Sequence, residues 1–325
     1  MINGPDGWQV SARTLGFGRG NRAPLRHLRP IGTPALSRLP VVLFLSLLVG
    51  CTSDPARGRG FSPPGGGNET YLHYSFVATN SGINCALVNV AAAMCWGNGT
   101  LGDGVTTESD RPVRVGGAIP LQTLTNASGY VCGLSSGTAY CWGINVRGNL
   151  GDGTREQRLT PVLVDTDVVF RTISANGIHT CGVSVDDLGY CWGWNNSGQL
   201  GIGSTEPVDS VRLVPAPVAG GLRFRAIETG FRNTCGLTTD GEPHCWGEHW
   251  GPTPVAVPTT PSFESISMGG DSTCGLTAEG EAYCWGSNSD GQFGNGEWED
   301  WRLESYHEVP VQVVTELRFS ALSGQ

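Results

Sequence analysis

The tripeptide Cys-Trp-Gly occurs five times, at Cys95-Trp96-Gly97, Cys141-Trp142-Gly143, Cys191-Trp192-Gly193, Cys245-Trp246-Gly247 and Cys284-Trp285-Gly286, at intervals of 46, 50, 54 and 39 residues. A unit repeated at roughly 40–50 residues cannot bury its apolar face alone, so copies must stack, and short strands at this period indicate propeller blades. The features around each tripeptide keep one order. An alternating stretch, such as 222–228 or 262–267, precedes a first cysteine. After Trp-Gly comes a glycine-spaced turn at 99–104, 148–153, 198–203 and 291–296; the fourth copy lacks it and runs Gly247-Glu-His-Trp-Gly-Pro. A Pro-Val stretch such as 161–164 closes the unit. The expected fold is all-β, a β-propeller of four-stranded blades over residues 71–325, with five complete repeats and the start of a sixth. That start is 317–324, which matches the strand and glycine opening every unit. It either closes a small ring by joining the first blade or begins a further blade of a larger one. The 49 glycines and 20 prolines suit this reading, because turns between short strands need them and helices do not.

Ten of the eleven cysteines fall into close pairs: Cys85/Cys95, Cys132/Cys141, Cys181/Cys191, Cys235/Cys245 and Cys274/Cys284. Zinc sites bring cysteines together at a gap of roughly two to four residues and need a second pair nearby. Here every gap is eight or nine residues, and the histidines show no matching spacing. Hairpin register favours disulfides. A three-residue loop Ala278-Glu279-Gly280 puts Gly280 at the left-handed bulge position and sets Cys274 opposite Cys284, on a site where side chains come close. Thr239-Asp240-Gly241 does the same for Cys235/Cys245, and a two-residue Ser136-Gly137 turn does it for Cys132/Cys141. The other two pairs have the spacing but no glycine at the bulge. Five disulfides within repeats are expected.

Two stretches carry a family signature: Thr234-Cys235-Gly-Leu-Thr-Thr-Asp-Gly241 and Trp192-Gly-Trp-Asn-Asn-Ser-Gly-Gln-Leu-Gly201. They resemble the regulator-of-chromosome-condensation repeat family, and the resemblance extends over about residues 72–325. It implies a β-propeller, and paired cysteines are an addition typical of its secreted members. The family's founding role, nucleotide exchange on a small GTPase, comes with no exchange residues that a motif transfers to this chain.

Residues 39–50 form an apolar run too short to cross a bilayer but suited to the core of a signal peptide, with arginines before it. The run ends in Leu48-Val49-Gly50-Cys51, which resembles the bacterial lipoprotein box. That resemblance implies cleavage before Cys51 and acylation of its sulfur and amine, a stable two-signal anchor. Residues 1–50 are then a signal peptide, although 38 residues ahead of the apolar run is long, and a start downstream of Met1 would shorten it. Residues 51–70 are the lipidated cysteine and a Gly/Pro tether. Export also permits the disulfides.

Six of the 20 basic residues but only one of the 29 acids precede position 51, so the remainder holds 14 basic against 28 acidic residues, and no lysine occurs. A body this acidic repels a phosphate backbone, which argues against a nucleic-acid partner. The six histidines sit in unlike contexts, and no Ser-His-Asp arrangement, P-loop or zinc-protease spacing is present. Asp103 and Asp152 lie in glycine turns, where turn chemistry competes with calcium binding. No catalytic residue, cofactor or metal is expected. Large aromatics appear where the repeats diverge: Trp194, Trp250, Trp298, Trp301 and Tyr306. They are expected to form an exposed patch on one propeller face, because rings without a repeat role are typical contact residues. The reading is an extracytoplasmic, membrane-anchored scaffold that binds a protein or glycan. A polysaccharide-acting enzyme is the alternative, with an exchange-factor-like regulator behind it.

Overall fold

The computed structural model describes residues 74–323 apart from 81, 89–91, 106, 206–209, 260 and 298–305. Blade 1 holds β1 (Tyr74–Thr79), β2 (Ile83–Val88), β3 (Ala92–Asn98) and β4 (Glu108–Arg114). Blade 2 holds β5 (Thr123–Ala127), β6 (Tyr130–Ser135), β7 (Thr138–Gly143) and β8 (Arg158–Leu163). Blade 3 holds β9 (Phe170–Asn176), β10 (His179–Ser184), β11 (Gly189–Trp194) and β12 (Val211–Pro217). Blade 4 holds β13 (Phe224–Thr229), β14 (Asn233–Thr238), β15 (Pro243–Gly247) and β16 (Gly251–Ala256). Blade 5 holds β17 (Ser265–Gly269), β18 (Ser272–Leu276), β19 (Ala282–Ser287) and β20 (Tyr306–Gln312). Each blade is an antiparallel meander in chain order. No helix among the described residues is long and apolar enough to cross a membrane.

All five expected disulfides are present, each joining directly opposed residues of a blade's second and third strands. Five such bonds belong to an oxidising environment. The turns follow the expected geometry: Gly280 and Gly241 adopt φ of 79° and 85°, and Ser136-Gly137 adopt 50° and 82°. The Cys181/Cys191 hairpin reaches the same register without glycine, because Asp187 itself takes φ 65°. Asp and Asn tolerate this region better than other side chains.

Each blade boundary repeats one contact. The tryptophan of the Trp-Gly pair packs back onto the disulfide of the preceding blade: Trp142 on Cys85–Cys95, Trp192 on Cys132–Cys141, Trp246 on Cys181–Cys191 and Trp285 on Cys235–Cys245. These four indoles are fully buried. A second element is a shared carbonyl. Thr180 Oγ1 and Trp192 Nε1 both donate to Asn149 O, at 2.9 and 3.0 Å. One blade on, Thr234 Oγ1 and Trp246 Nε1 both donate to Gln199 O, at 2.8 and 2.9 Å. The acceptor sits in the glycine turn, and Gly201 (φ 68°) lets that turn slide under the ring; a Cβ there would lie 2.8 Å from Trp246 Nε1. Blade 4 lacks the turn, so Trp285 Nε1 donates instead to Cys245 Sγ at 3.3 Å. In blade 2 Val131 stands where blades 3, 4 and 5 have threonine, and Trp142 Nε1 finds no partner among the described residues.

The first strands pack in succession, β1 on β5, β5 on β9, β9 on β13 and β13 on β17, and no comparable contact joins β17 to β1. Among the described residues, the two end blades each meet one other blade only. On blade 1, Val77 is 54% exposed and Trp96 half-buried, whereas of the four counterparts of Val77, Leu124, Ile227 and Ile266 are buried and Ile173 is partly buried. Residues 317–323 form no strand and join no sheet, against the expectation of an opening strand. Among the described residues no cysteine hairpin follows for them to pair with. They run along blade 5, where Phe319 N donates to Gly280 O as Phe263 N does to Gly241 O.

Candidate functional site

In a four-stranded meander the turn between strands one and two emerges at the same end as the loop between strands three and four. The loops after Trp-Gly therefore share a face with the short turns before the first cysteines. In blades 2, 3 and 5 a buried asparagine locks the loop: Asn145, Asn195 and Asn288 accept from the backbone N–H of Leu150, Leu200 and Phe293 at 3.0, 3.0 and 3.1 Å. With the asparagine held inside, the residue before it projects outward, and in blade 3 that residue is Trp194.

Trp194 is half-buried, and two guanidinium groups lie over its ring, Arg147 at 5.0 Å and Arg232 at 5.8 Å from the centroid. Arg147 comes from the blade 2 loop and Arg232 from the turn between β13 and β14. Arg232 also lies 5.5 Å from the Phe231 ring and reaches Glu248 at 3.4 Å. Among the described residues no carboxylate pairs with Arg147. Apolar side chains extend the surface: Phe231 is 46% exposed, Val146 64%, and Ile144 is exposed too. Sequence reasoning missed Arg147, Phe231 and Arg232. Their signal was positional, since all three fall at loop sites that vary between repeats.

Trp250 corrects the expectation of an exposed ring. It is only 8% exposed and joins the blade 4–blade 5 core, where blade 4 lacks the apolar loop residue that the other blades bury, Leu101, Leu150, Leu200 and Phe293. Trp250 Nε1 donates to Tyr306 Oη at 2.5 Å, and Tyr306 stacks on His249 with centroids 4.0 Å apart. Burial raises the Tyr306 pKa above the usual phenol range. Trp250 and Tyr306 thus form a packed knot beside the Trp194 cluster, the two being linked through Arg232 and Glu248. Asp271 adjoins them; burial first and the Glu248 charge second raise its pKa, against the opposing pull of His249 and Arg232. Trp298, Trp301 and Cys51 lie outside the described residues.

Asp152 is consumed by its turn. Its carboxylate accepts from Asn145 Nδ2, Thr154 N and Thr154 Oγ1, and from Arg158 Nε at 2.7 Å. Burial alone would raise its pKa, but the Thr154 and Arg158 hydrogen bonds outweigh that and hold it low. Asp103 accepts from Val105 N in the equivalent turn. Among the described residues no three His, Cys, Asp or Glu side chains gather to hold a metal ion.

Residues 136–183 and 187–237 match the regulator of chromosome condensation (RCC1) repeat, and residues 263–292 match a second model of that repeat. The fold is similar to that of human WBSCR16 (TM-score 0.69, 19% identity, 78% of this chain and 70% of that one). It is also similar to Prp20p from Saccharomyces cerevisiae, described with its binding properties to Gsp1p and histones (TM-score 0.66, 19% identity, 75% and 64%). Yeast RCC1 (Prp20) bound to Kap60 gives TM-score 0.65 at 19% identity, with 75% and 62% covered. This chain therefore spans less than two thirds of either yeast chain. At this identity the likenesses speak for the fold alone.

Proposed function

We propose that this chain, an RCC1-type repeat β-propeller, is a scaffold that binds a protein partner through the face carrying the Trp-Gly loops. The observation that carries the reading is Trp194 with the Arg147 and Arg232 guanidinium groups over its ring, beside the exposed Phe231, Ile144 and Val146. Tryptophan and arginine dominate interface hot spots, and a surrounding apolar rim excludes water from them. A protein fits better than a glycan. Sugars stack on a free aromatic face, and two guanidinium groups lie over this ring. Prp20p is described with protein partners, Gsp1p and histones, which agrees with a binding role for the fold. Trp298 and Trp301, in the blade 5 insertion, are proposed to extend the same surface.

Trp194→Ala should weaken partner binding by ~2 kcal/mol or more, about 30-fold in Kd, and barely move the melting temperature. Pull-down from envelope extract with wild type, Trp194→Ala and Trp96→Ala tests this. A partner retained by Trp194→Ala, or lost equally with Trp96→Ala, rejects the face. The export reading rests on residues 39–51, and Cys51 is proposed to carry the lipid anchor. Cys51→Ser should move the protein out of the membrane fraction or leave it unprocessed. Wild-type fractionation and mobility of that variant would reject the anchor.

A further inference from the structure

Resting on the reading of the Trp194 surface as a binding face, we infer that this face takes an acidic loop of its protein partner, with a Glu or Asp carboxylate seated on Arg147 and apolar neighbours beside it on Ile144, Val146 and Phe231. Arg147 is exposed in the blade 2 loop, 5.0 Å from the Trp194 centroid. Contact with a ring uses the charge of a guanidinium and none of its five N–H donors. Among the described residues no carboxylate and no hydrogen bond takes those donors. Arg232 differs, because Glu248 already reaches it at 3.4 Å and Asp271 stands on the same blade 4–blade 5 side. A carboxylate arriving over Arg232 would face two groups of its own sign. Arg147, on the blade 2 side, is the guanidinium left to receive it.

The charge balance of the chain agrees. Beyond position 51 acids outnumber basic residues 28 to 14, yet here two arginines meet over one indole. A cationic partner would be drawn to the rest of the surface and repelled from these two groups. An acidic loop finds its opposite charge at this patch, which fixes where and in which orientation it docks. The surroundings favour a strong pair. A guanidinium is weakly hydrated, so covering it costs less than covering an ammonium. As apolar side chains of the partner cover Ile144, Val146 and Phe231, water leaves the pair, and a bidentate Arg–carboxylate contact shielded in this way outweighs an exposed one.

The test presents the full chain with bead-bound pools of synthetic heptapeptides, identical except that Glu, Gln or Lys is fixed at the centre of otherwise random sequences. Wild type should be retained at least ~5-fold more by the Glu pool than by the Gln pool, and added salt should shrink that preference. Arg147→Gln should abolish the preference without moving the melting temperature, and Arg147→Glu should transfer it to the Lys pool. Glu248→Gln frees Arg232 and removes a like charge, so it should raise retention on the Glu pool by about 2–3-fold, a gain that misfolding does not produce. Trp194→Ala should lower retention on every pool. Equal retention on the Glu and Gln pools, a wild-type preference for Lys, or a Glu preference that survives Arg147→Gln or fails to rise in Glu248→Gln overturns the acidic partner, and a loss on every pool in Trp194→Ala then still leaves the face standing. Retention that Trp194→Ala does not change rejects the face itself, and the acidic partner with it.

Discussion

Trp246→Ala should destabilise the protein by about 4 kcal/mol, while Trp96→Ala, the same residue of the same tripeptide, should cost only about 1 kcal/mol. Trp246 is fully buried, packs beside Phe224 with centroids 5.8 Å apart, and seals the Cys181–Cys191 bond of the preceding blade. Removing it deletes ~150–250 Å² of buried surface and leaves a cavity at a blade boundary that cannot collapse without moving strands. The lost hydrogen bond adds little, because Thr234 still donates to Gln199 O. Trp96 belongs to blade 1, which has no preceding blade among the described residues, and its ring is half-buried. Guanidinium midpoints with their slopes measure both variants. Equal costs would mean that the indoles stabilise their own blades, and the boundary account would fail.

This contrast marks how far the sequence could be read. The Cys-Trp-Gly period, the hairpin lengths and Gly280 or Gly241 at the bulge determine blades and disulfides locally, because each is settled within about ten residues by turn geometry. The direction in which Trp142, Trp192, Trp246 and Trp285 face was not legible, since it depends on how one blade stacks on another. Trp250 misled for a related reason. Its place outside the repeat pattern suggested a contact residue, yet the missing glycine turn left a core site that its indole fills. Asp187 shows the limit of reading turns by glycine alone. Arg147, Arg232 and Trp194 are far apart in the chain and meet only because three blades bring their loops to one face.

Acid should weaken the fold through His179, and substituting Glu228 should expose that effect. Thr234 spends its proton on Gln199 O, so the 2.8 Å contact to His179 Nε2 makes the histidine the donor. His179 Nδ1 then faces no partner, and protonating it would bury an uncompensated cation. Burial accordingly pushes the His179 pKa down to about 3. A folded pKa below the unfolded one means that the unfolded chain takes the proton first. Stability is therefore lost as pH falls from about 6.5 towards 3, by something on the order of 5 kcal/mol. Glu228 acts in the opposite sense. It sits on β13 against β9 of the preceding blade, where Ser174 Oγ donates to it at 3.1 Å. Burial pushes its pKa up to about 7, and the Ser174 hydrogen bond offsets only part of that. The folded state here takes the proton first, so stability is gained as pH falls from about 7 to 4.5, by roughly 3 kcal/mol. Between pH 6.5 and 4.5 the two slopes nearly cancel, and the wild type should show a plateau there. Glu228→Gln keeps the acceptor for Ser174 but removes the titration, so its stability should fall across that window at about 1 kcal/mol per pH unit. Adding His179→Gln, whose amide can still donate to Thr234 Oγ1, should flatten the window again. Asp152, held low by its turn, loses its contribution only below the window and leaves the comparison clear. Denaturant midpoints across this range for the wild type, the single and the double variant decide it, and a Glu228→Gln profile as flat as the wild type would rule out the opposed pair.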